Sequence, residues 1–409
     1  MLSKNYKYHK SLPLLFILGL GLFSNCSQQP ETTKGEMAFA TDQLKTAFTE
    51  IEKSRAYNPN LLAPRSLRGD TLFLVPPRDW TSGFFAGNLW WMYEASGDEF
   101  WKGKAKEFTE PLASLKDNTG THDLGFMLYN SFGKGYQLTG NESYKGILLA
   151  GANSLKSRFN ENVGAIRSWD HNRDKWEFPV IIDNMMNLEY LFWATKVTGD
   201  SSYYRVADSH AEVTLANHFR DDHSSYHVID YDPTTGEVRN KHTHQGHAHE
   251  SAWARGQAWG LYGFVMCYRE TGKEKYLDKA RQIAGLMLDH QNMPDDLVPY
   301  WDYDAPNLPD APRDASAAAI MASALLELDL YVKEDNDYRE KALTVLDNLT
   351  NKYRSPMGAN KGFLLMHSTG HLPGEHEVDV PLVYADYYYL EALQRRGKVT
   401  FTSDKKNSQ

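Results

Sequence analysis

The 409-residue chain repeats one short joint: a helix end, a glycine, an aromatic residue four positions on, and usually an alanine four beyond that. It reads Gly97/Trp101/Ala105, Gly140/Tyr144, Gly199/Tyr203/Ala207 and Gly272/Tyr276/Ala280, with a glycine-free echo at Tyr338/Ala342. Glycine just past a helix takes the left-handed C-cap without a Cβ clash, and the aromatic falls one turn into the next helix. Each copy therefore predicts a tight turn between antiparallel helices. The segments between copies are long and rich in His, Trp, Asp and Pro. Short turns at one end and long loops at the other predict a stacked helical array whose loops collect on one face.

Apolar periodicity near 3.6 predicts about twelve helices, over 38–55, 82–96, 99–116, 123–139, 142–158, 183–198, 202–219, 252–271, 274–290, 314–332, 337–352 and 379–395. The even-numbered ones are apolar over most of their surface and read as enclosed; the odd-numbered ones carry a charged stripe and read as wrapping. The fold class is all-α, an (α/α)6 barrel of six inner and six outer helices. Its one β signal is a small hairpin, Tyr226–Tyr231 with Glu237–His242, inside one long loop.

Lys4, Lys7 and Lys10 precede the apolar run Leu12–Phe23, the pattern of an export leader too short to span as a mature helix. The run ends at Cys26 and resembles a bacterial lipoprotein signal. This predicts a signal peptide over 1–25, a lipid on Cys26 as the only membrane attachment, and a tether over 26–36. A barrel over 37–397 and a polar tail over 398–409 follow, in a periplasmic or outer-membrane lipoprotein of a bacterium; secretion without lipid is the alternative. Removing the leader's three lysines takes the formal charge from −9 to −12, which argues against nucleic acid as a partner. Cys267 is then the single cysteine of the folded part, a buried thiol with no disulfide to form.

Because glycine turns join each inner helix to the next outer one, every inner helix begins at the long-loop end. Six inner N-termini converge there, at Trp80-Thr81-Ser82-Gly83, His122-Asp123, Asp183-Asn184, Ser251 to Arg255, Arg313-Asp314 and Glu377 to Asp379. Unpaired backbone donors and positive dipole ends gather at that mouth. Asp123 and Asp183 open adjacent inner helices, whose axes lie ~8–10 Å apart. A close acidic pair lets one carboxyl stay protonated near neutrality while the other ionises, as acid/base work on a glycosidic or enol-ether oxygen system requires. The simpler alternative makes both of them helix caps.

Arg255 and Trp259 share a helix face, one able to clamp a carboxylate and the other to stack on a sugar; a buried ion pair of Arg255 with Glu250 or Asp183 is the other reading. His242, His244, His247 and His249 raise a metal question. They lack a neighbouring Cys or a His-Glu-x-x-His helix, so a histidine-lined loop over an anionic substrate is preferred, with no metal and no cofactor. Trp169 lies in a long mouth loop and is the candidate platform; Trp101 belongs to a joint. Ser368 and Thr369 are candidates for contact with a second sugar.

Four stretches together resemble glycoside hydrolase family 88, the unsaturated glucuronyl hydrolases: His122-Asp123-Leu124-Gly125-Phe126, Ile182-Asp183-Asn184-Met185-Met186-Asn187, Trp253-Ala254-Arg255-Gly256-Gln257-Ala258-Trp259, and Glu377-Val378-Asp379 with Tyr384-Ala385-Asp386-Tyr387-Tyr388. The resemblance implies release of a 4,5-unsaturated uronic acid from the non-reducing end of lyase-generated oligosaccharides by hydration of the double bond. Asp183 matches the acid/base residue and Asp123 the second essential aspartate. Trp169, His227, Thr243, Gln245, Arg255 and Trp259 match positions lining the sugar site. The crowded His242–His249 loop departs from the family pattern. An unsaturated rhamnogalacturonyl hydrolase and a non-catalytic glycan-binding lipoprotein are the alternatives.

Overall fold

The computed structural model describes residues 31–403, and side chains over 33–397. The leader and Cys26 lie outside the described residues. Among the described residues there are twelve α-helices, besides two short 3-10 turns (Asn360–Gly362 and Leu372–Gly374): α1 (Glu31–Tyr57), α2 (Ser82–Ser96), α3 (Glu99–Thr109, extended by the 3-10 turn Glu110–Asp117), α4 (π-helical Gly125–Gly133, then α-helical Lys134–Thr139), α5 (Glu142–Lys156), α6 (3-10 Ile182–Asn187, then α-helical Leu188–Thr198), α7 (Ser201–Asn217), α8 (Ala254–Thr271), α9 (Glu274–Asp289), α10 (Ala315–Leu328), α11 (Tyr338–Lys352) and α12 (Val383–Ser403). The even-numbered helices touch one another in order and α12 closes onto α2, while odd-numbered helices lie over the seams. This is the expected (α/α)6 arrangement.

The joints behave as their sequence predicts. Gly97, Gly140, Gly199 and Gly272 all take φ between 65° and 75°, and each N–H donates to the carbonyl four residues back at 2.8 Å. Asp98, Asn141 and Asp200 follow immediately and accept a backbone N–H two residues on, starting the next outer helix. Trp101, Tyr144, Tyr203 and Tyr276 are buried beneath these turns, each contributing roughly 1.5–3 kcal/mol of apolar burial.

The structure moves two boundaries and adds strands to the one expected hairpin. The packed body starts inside the stretch read as a tether, because Thr33 and Glu36 are buried and bonded to Arg396 of α12. The stretch read as a tail is helical as far as Ser403. A hairpin with no recognised signal, β1 (Ala63–Arg68) against β2 (Thr71–Val75), precedes α2. The expected hairpin exists as β6 (Val228–Tyr231) and β7 (Val238–His242), but a third strand, β5 (Pro179–Ile181), pairs with β6; two two-residue strands, β3 (Phe159–Asn160) and β4 (Ala165–Ile166), sit between. Alternation is too short in these segments for the period-2 pattern to stand out.

Glycines set how closely the inner helices approach at their beginnings. A Cβ at Gly83 would fall 2.3 Å from the Met127 carbonyl oxygen, and one at Gly125 would fall 2.5 Å from Asn187 Oδ1 and 2.8 Å from its Cα. Both obstacles include backbone, which cannot rotate away. Gly125→Ala is expected to cost ~1–3 kcal/mol through overpacking, read as a lower urea midpoint with an unchanged slope; a wild-type midpoint would refute this account of the α4–α6 contact.

Candidate active site

Five of the six inner-helix beginnings contribute to one cavity of about 200 Å³ at the long-loop mouth, through Trp80, His122, Asp123, Asp183, Arg255 and Glu377. The sixth supplies Asp314, which lies below the cavity and binds Arg255. Trp169 and Gln245 also line it, as do Arg65, His171, His244, His371, His376 and Tyr384.

Asp183 sits in the first turn of α6, immediately after β5. The Ile182 N–H donates to the His227 carbonyl at 3.0 Å, continuing the β5–β6 ladder. That register sets His227 beside Asp183. The His227 Nδ1 accepts the N–H groups of His244 and Gln245, both at 3.1 Å, so the ring proton belongs on Nε2, 3.7 Å from Asp183 Oδ2. Burial and neighbouring cationic groups keep this imidazole neutral, far below its ordinary range. Asp183 Oδ2 has no hydrogen-bond partner. It therefore does not cap α6; it faces the cavity. Burial pushes the Asp183 carboxyl up to about 7, the positive charge of Arg255 opposes this, and the charge of Asp123 adds to it.

Asp123 is held differently. One oxygen accepts from the Thr121 hydroxyl at 2.7 Å and the other lies 3.1 Å from His122 Nε2. Neither caps α4. His122 is fully buried, which keeps it neutral. The pair thus consists of one enclosed carboxyl whose Oδ2 has no hydrogen-bond partner and one carboxyl bonded to a hydroxyl, in the same cavity.

Arg255 is not a free clamp. Its Nη1 donates to Asp314 Oδ2 (2.8 Å) and to the Thr369 carbonyl (2.6 Å), and its Nη2 donates to the Gly370 carbonyl (2.5 Å). The buried-pair reading is right in kind, but the partner is Asp314 rather than Glu250 or Asp183. Trp259 is completely buried against Phe126 and Tyr388 and offers no face to a sugar. Instead its indole N–H is directed toward Asp183 from beneath the cavity floor. Thr243 does not line the cavity: its hydroxyl accepts the Gly246 N–H at 2.8 Å and closes a turn. Ser368 and Thr369 are buried, with the Thr369 hydroxyl bonded to the Arg313 carbonyl.

Trp169 remains half-buried at the rim, edge-on to His227 and His244 and stacked on His171 at 5.1 Å. It is placed as a platform. Gln245 Nε2 donates to the Gly370 carbonyl at 3.0 Å, tying two mouth loops together. Of the four clustered histidines only His244 reaches the cavity; His242 and His249 stack on each other at 4.3 Å. The remaining histidines come from loops distant in sequence. No group of three or more His, Cys, Asp or Glu suited to a metal occurs among the described residues.

Sequence reasoning missed Arg65, which forks onto Glu377 through Nε at 2.6 Å and Nη2 at 2.8 Å while Nη1 reaches Asp79 at 2.9 Å. Its strand carried no recognised signal. His122 was adjacent to Asp123 in the motif and could have been found there. His371 and His376 lie in a loop where His367, Glu375, Glu377 and Asp379 all take positive φ, a concentration of strain typical of functional loops. Gly370 is required there, since a Cβ would fall 2.6 Å from Glu377 Oε2.

A carboxyl raised from ~3.9 unfolded to about 7 in the fold favours the folded state in its neutral form. That stability is present below pH 4 and lost as pH rises through 7. Asp183→Asn is accordingly expected to stabilise the protein by ~1–4 kcal/mol at pH 8 and by little at pH 4. Urea titrations at the two pH values measure the difference, and an equal effect at both would refute the assigned protonation.

The family model for Glycosyl Hydrolase Family 88 matches residues 69–392. An unsaturated glucuronyl hydrolase of Formosa agariphila is 45% identical over 95% of this chain and 98% of its own length. An unsaturated chondroitin disaccharide hydrolase of Streptococcus pneumoniae is 34% identical over 90% and 93%. Among solved structures, an unsaturated glucuronyl hydrolase specific for heparin superposes with a TM-score of 0.86 at 48% identity, covering 90% of this chain and 98% of that one.

Proposed function

The chain belongs to glycosyl hydrolase family 88, and from that premise we propose how the cavity performs the reaction. The protein is a glycoside hydrolase that releases 4,5-unsaturated uronic acid from the non-reducing end of glycosaminoglycan-derived oligosaccharides. The observation that carries the assignment of roles is the Asp183 carboxyl, buried, unpartnered at Oδ2 and poised near pH 7.

In the reaction, neutral Asp183 gives its proton to C4 of the enol ether, and the electron pair of the C4=C5 bond forms the new C–H bond. Positive charge develops at C5 and on the ring oxygen. Asp123 stabilises it across the cavity. Water adds at C5 and loses its proton to the Asp183 carboxylate, which restores the acid. The resulting hemiketal opens, and the next sugar leaves. Trp169 supports the ring from the rim, and His227 Nε2–H lies 3.7 Å from Asp183 Oδ2, beside the reacting carboxyl. Arg255, already bonded to Asp314, acts through its charge and through the Gly370 loop it anchors.

The double bond absorbs in the ultraviolet, so turnover is followed as loss of absorbance. Asp183→Asn is expected to lower kcat by at least ~10²-fold while leaving substrate binding within a few-fold, and wild-type turnover declines as pH rises through 7. Undiminished turnover in this variant would remove Asp183 from its role. A heparin-type substrate is the favoured reading, supported by 48% identity to a heparin-specific enzyme against 34% to a chondroitin disaccharide hydrolase. Heparin-derived unsaturated disaccharides should therefore be turned over with higher kcat/KM than chondroitin-derived ones; the reverse order overturns it.

Attachment through Cys26 is part of the same proposal, supported by the leader pattern. Cys26→Ser is expected to move the protein from the membrane fraction to the soluble fraction after cell lysis, and an unchanged distribution would exclude the lipid.

A further inference from the structure

Outer helices begin at the end of the barrel where the glycine joints lie, opposite the active-site mouth, and α1 follows the same direction. Its first turns sit beside the last turns of α12: Arg396 donates to the Thr33 hydroxyl at 3.2 Å and to Glu36 Oε1 at 3.3 Å. Further along, Gln43 Nε2 donates to the carbonyls of Ala359 (2.7 Å) and Phe363 (2.9 Å), in the long connection between α11 and α12 at the mouth end. The 27 residues of α1 thus run from the far end to the mouth end, over about 40 Å at ~1.5 Å per residue.

Four residues, Ser27 to Pro30, separate Cys26 from Glu31, where α1 begins. Even fully extended, five residue steps span at most ~18 Å. A lipid on Cys26 holds that residue at the bilayer surface. A barrel turned mouth-down would raise the start of α1 about 40 Å above the surface, roughly twice the reach of the tether. That orientation is excluded.

A barrel lying on its side also satisfies the tether, and charge decides against it. The inner helix α12 starts at the mouth and ends at the far end, at Ser403. Beyond Arg396 the sequence carries Lys398, Lys405 and Lys406, with Asp404 as the one acid. Lysines close to a bilayer rich in anionic headgroups are drawn to it. The tether and these lysines therefore leave the barrel at the same end.

We propose that the far end of the barrel faces the membrane: the lipid on Cys26 holds it there, the C-terminal lysines meet anionic headgroups, and the active-site mouth opens away from the bilayer. This orientation rests on the attachment through Cys26 given above. Unsaturated oligosaccharides then reach Asp183 from the aqueous side, with no membrane in their path.

Energy transfer to headgroup-labelled lipid tests the orientation, with the full lipidated chain in vesicles of phosphatidylethanolamine and phosphatidylglycerol. Cys267 is fully buried and Cys26 carries the lipid, so Leu330→Cys and Tyr57→Cys each offer a single reactive thiol for a donor dye. Leu330 follows α10 at the far end and is 55% exposed; Tyr57 closes α1 at the mouth end and is 92% exposed. Neither substitution disturbs the core. Transfer from position 330 should exceed that from position 57 at least about threefold, because position 57 lies ~40 Å along α1 from the anchored end. Flotation separates the failure of attachment from the failure of orientation. Protein that does not float with the vesicles carries no lipid, and attachment and orientation fall together. Protein that floats and turns over substrate, yet shows equal transfer from both positions or more from position 57, overturns the orientation alone.

Discussion

The contact between Gly125 and Asn187 is the constraint on which the site depends. With no Cβ at 125, α4 and α6 come close enough for the Phe126 N–H to donate to Asn187 Oδ1 at 3.1 Å. Asp123 lies two residues before the glycine and Asp183 four before the asparagine, so this one approach brings both carboxyls to the same cavity. Their charges then interact. A wider spacing would leave two ordinary surface acids.

What distinguishes the two aspartates is their surroundings rather than their chemistry. Asp123 keeps a hydroxyl donor. Asp183 is enclosed by the β5–β6 ladder on one side and the floor around Trp259 on another. Burial then favours its neutral form, which is the form that can donate a proton. Arg255 limits that effect, and its pairing with Asp314 keeps an uncompensated guanidinium out of the floor. The same guanidinium holds the carbonyls of Thr369 and Gly370, so the loop bearing His371 and Glu377 is fastened to the group that tunes the acid.

The helical plan was legible because each joint carries its reason locally: a glycine able to adopt positive φ, a polar cap beside it, and an aromatic that needs burial. Asp123, Asp183 and Trp169 could be placed at the mouth from helix direction and loop position, and Gln245 through the family resemblance. Arg65 could not, since its strand is short and its partners lie at Asp79 and Glu377. Trp259 and Thr243 show the reverse case. Helical spacing put Trp259 on the face of Arg255, but Phe126 and Tyr388 cover that ring; Thr243 is spent on a turn with Gly246.

By itself the sequence determined the direction of every inner helix, and with it the end at which the acids gather, because capping and periodicity act within a few residues. Only the tertiary structure decided which acid stays protonated, which carboxylate neutralises Arg255, and which aromatics keep an open face. Those outcomes depend on burial and on charges brought together from segments far apart in the chain, and no local pattern encodes a distance between such segments.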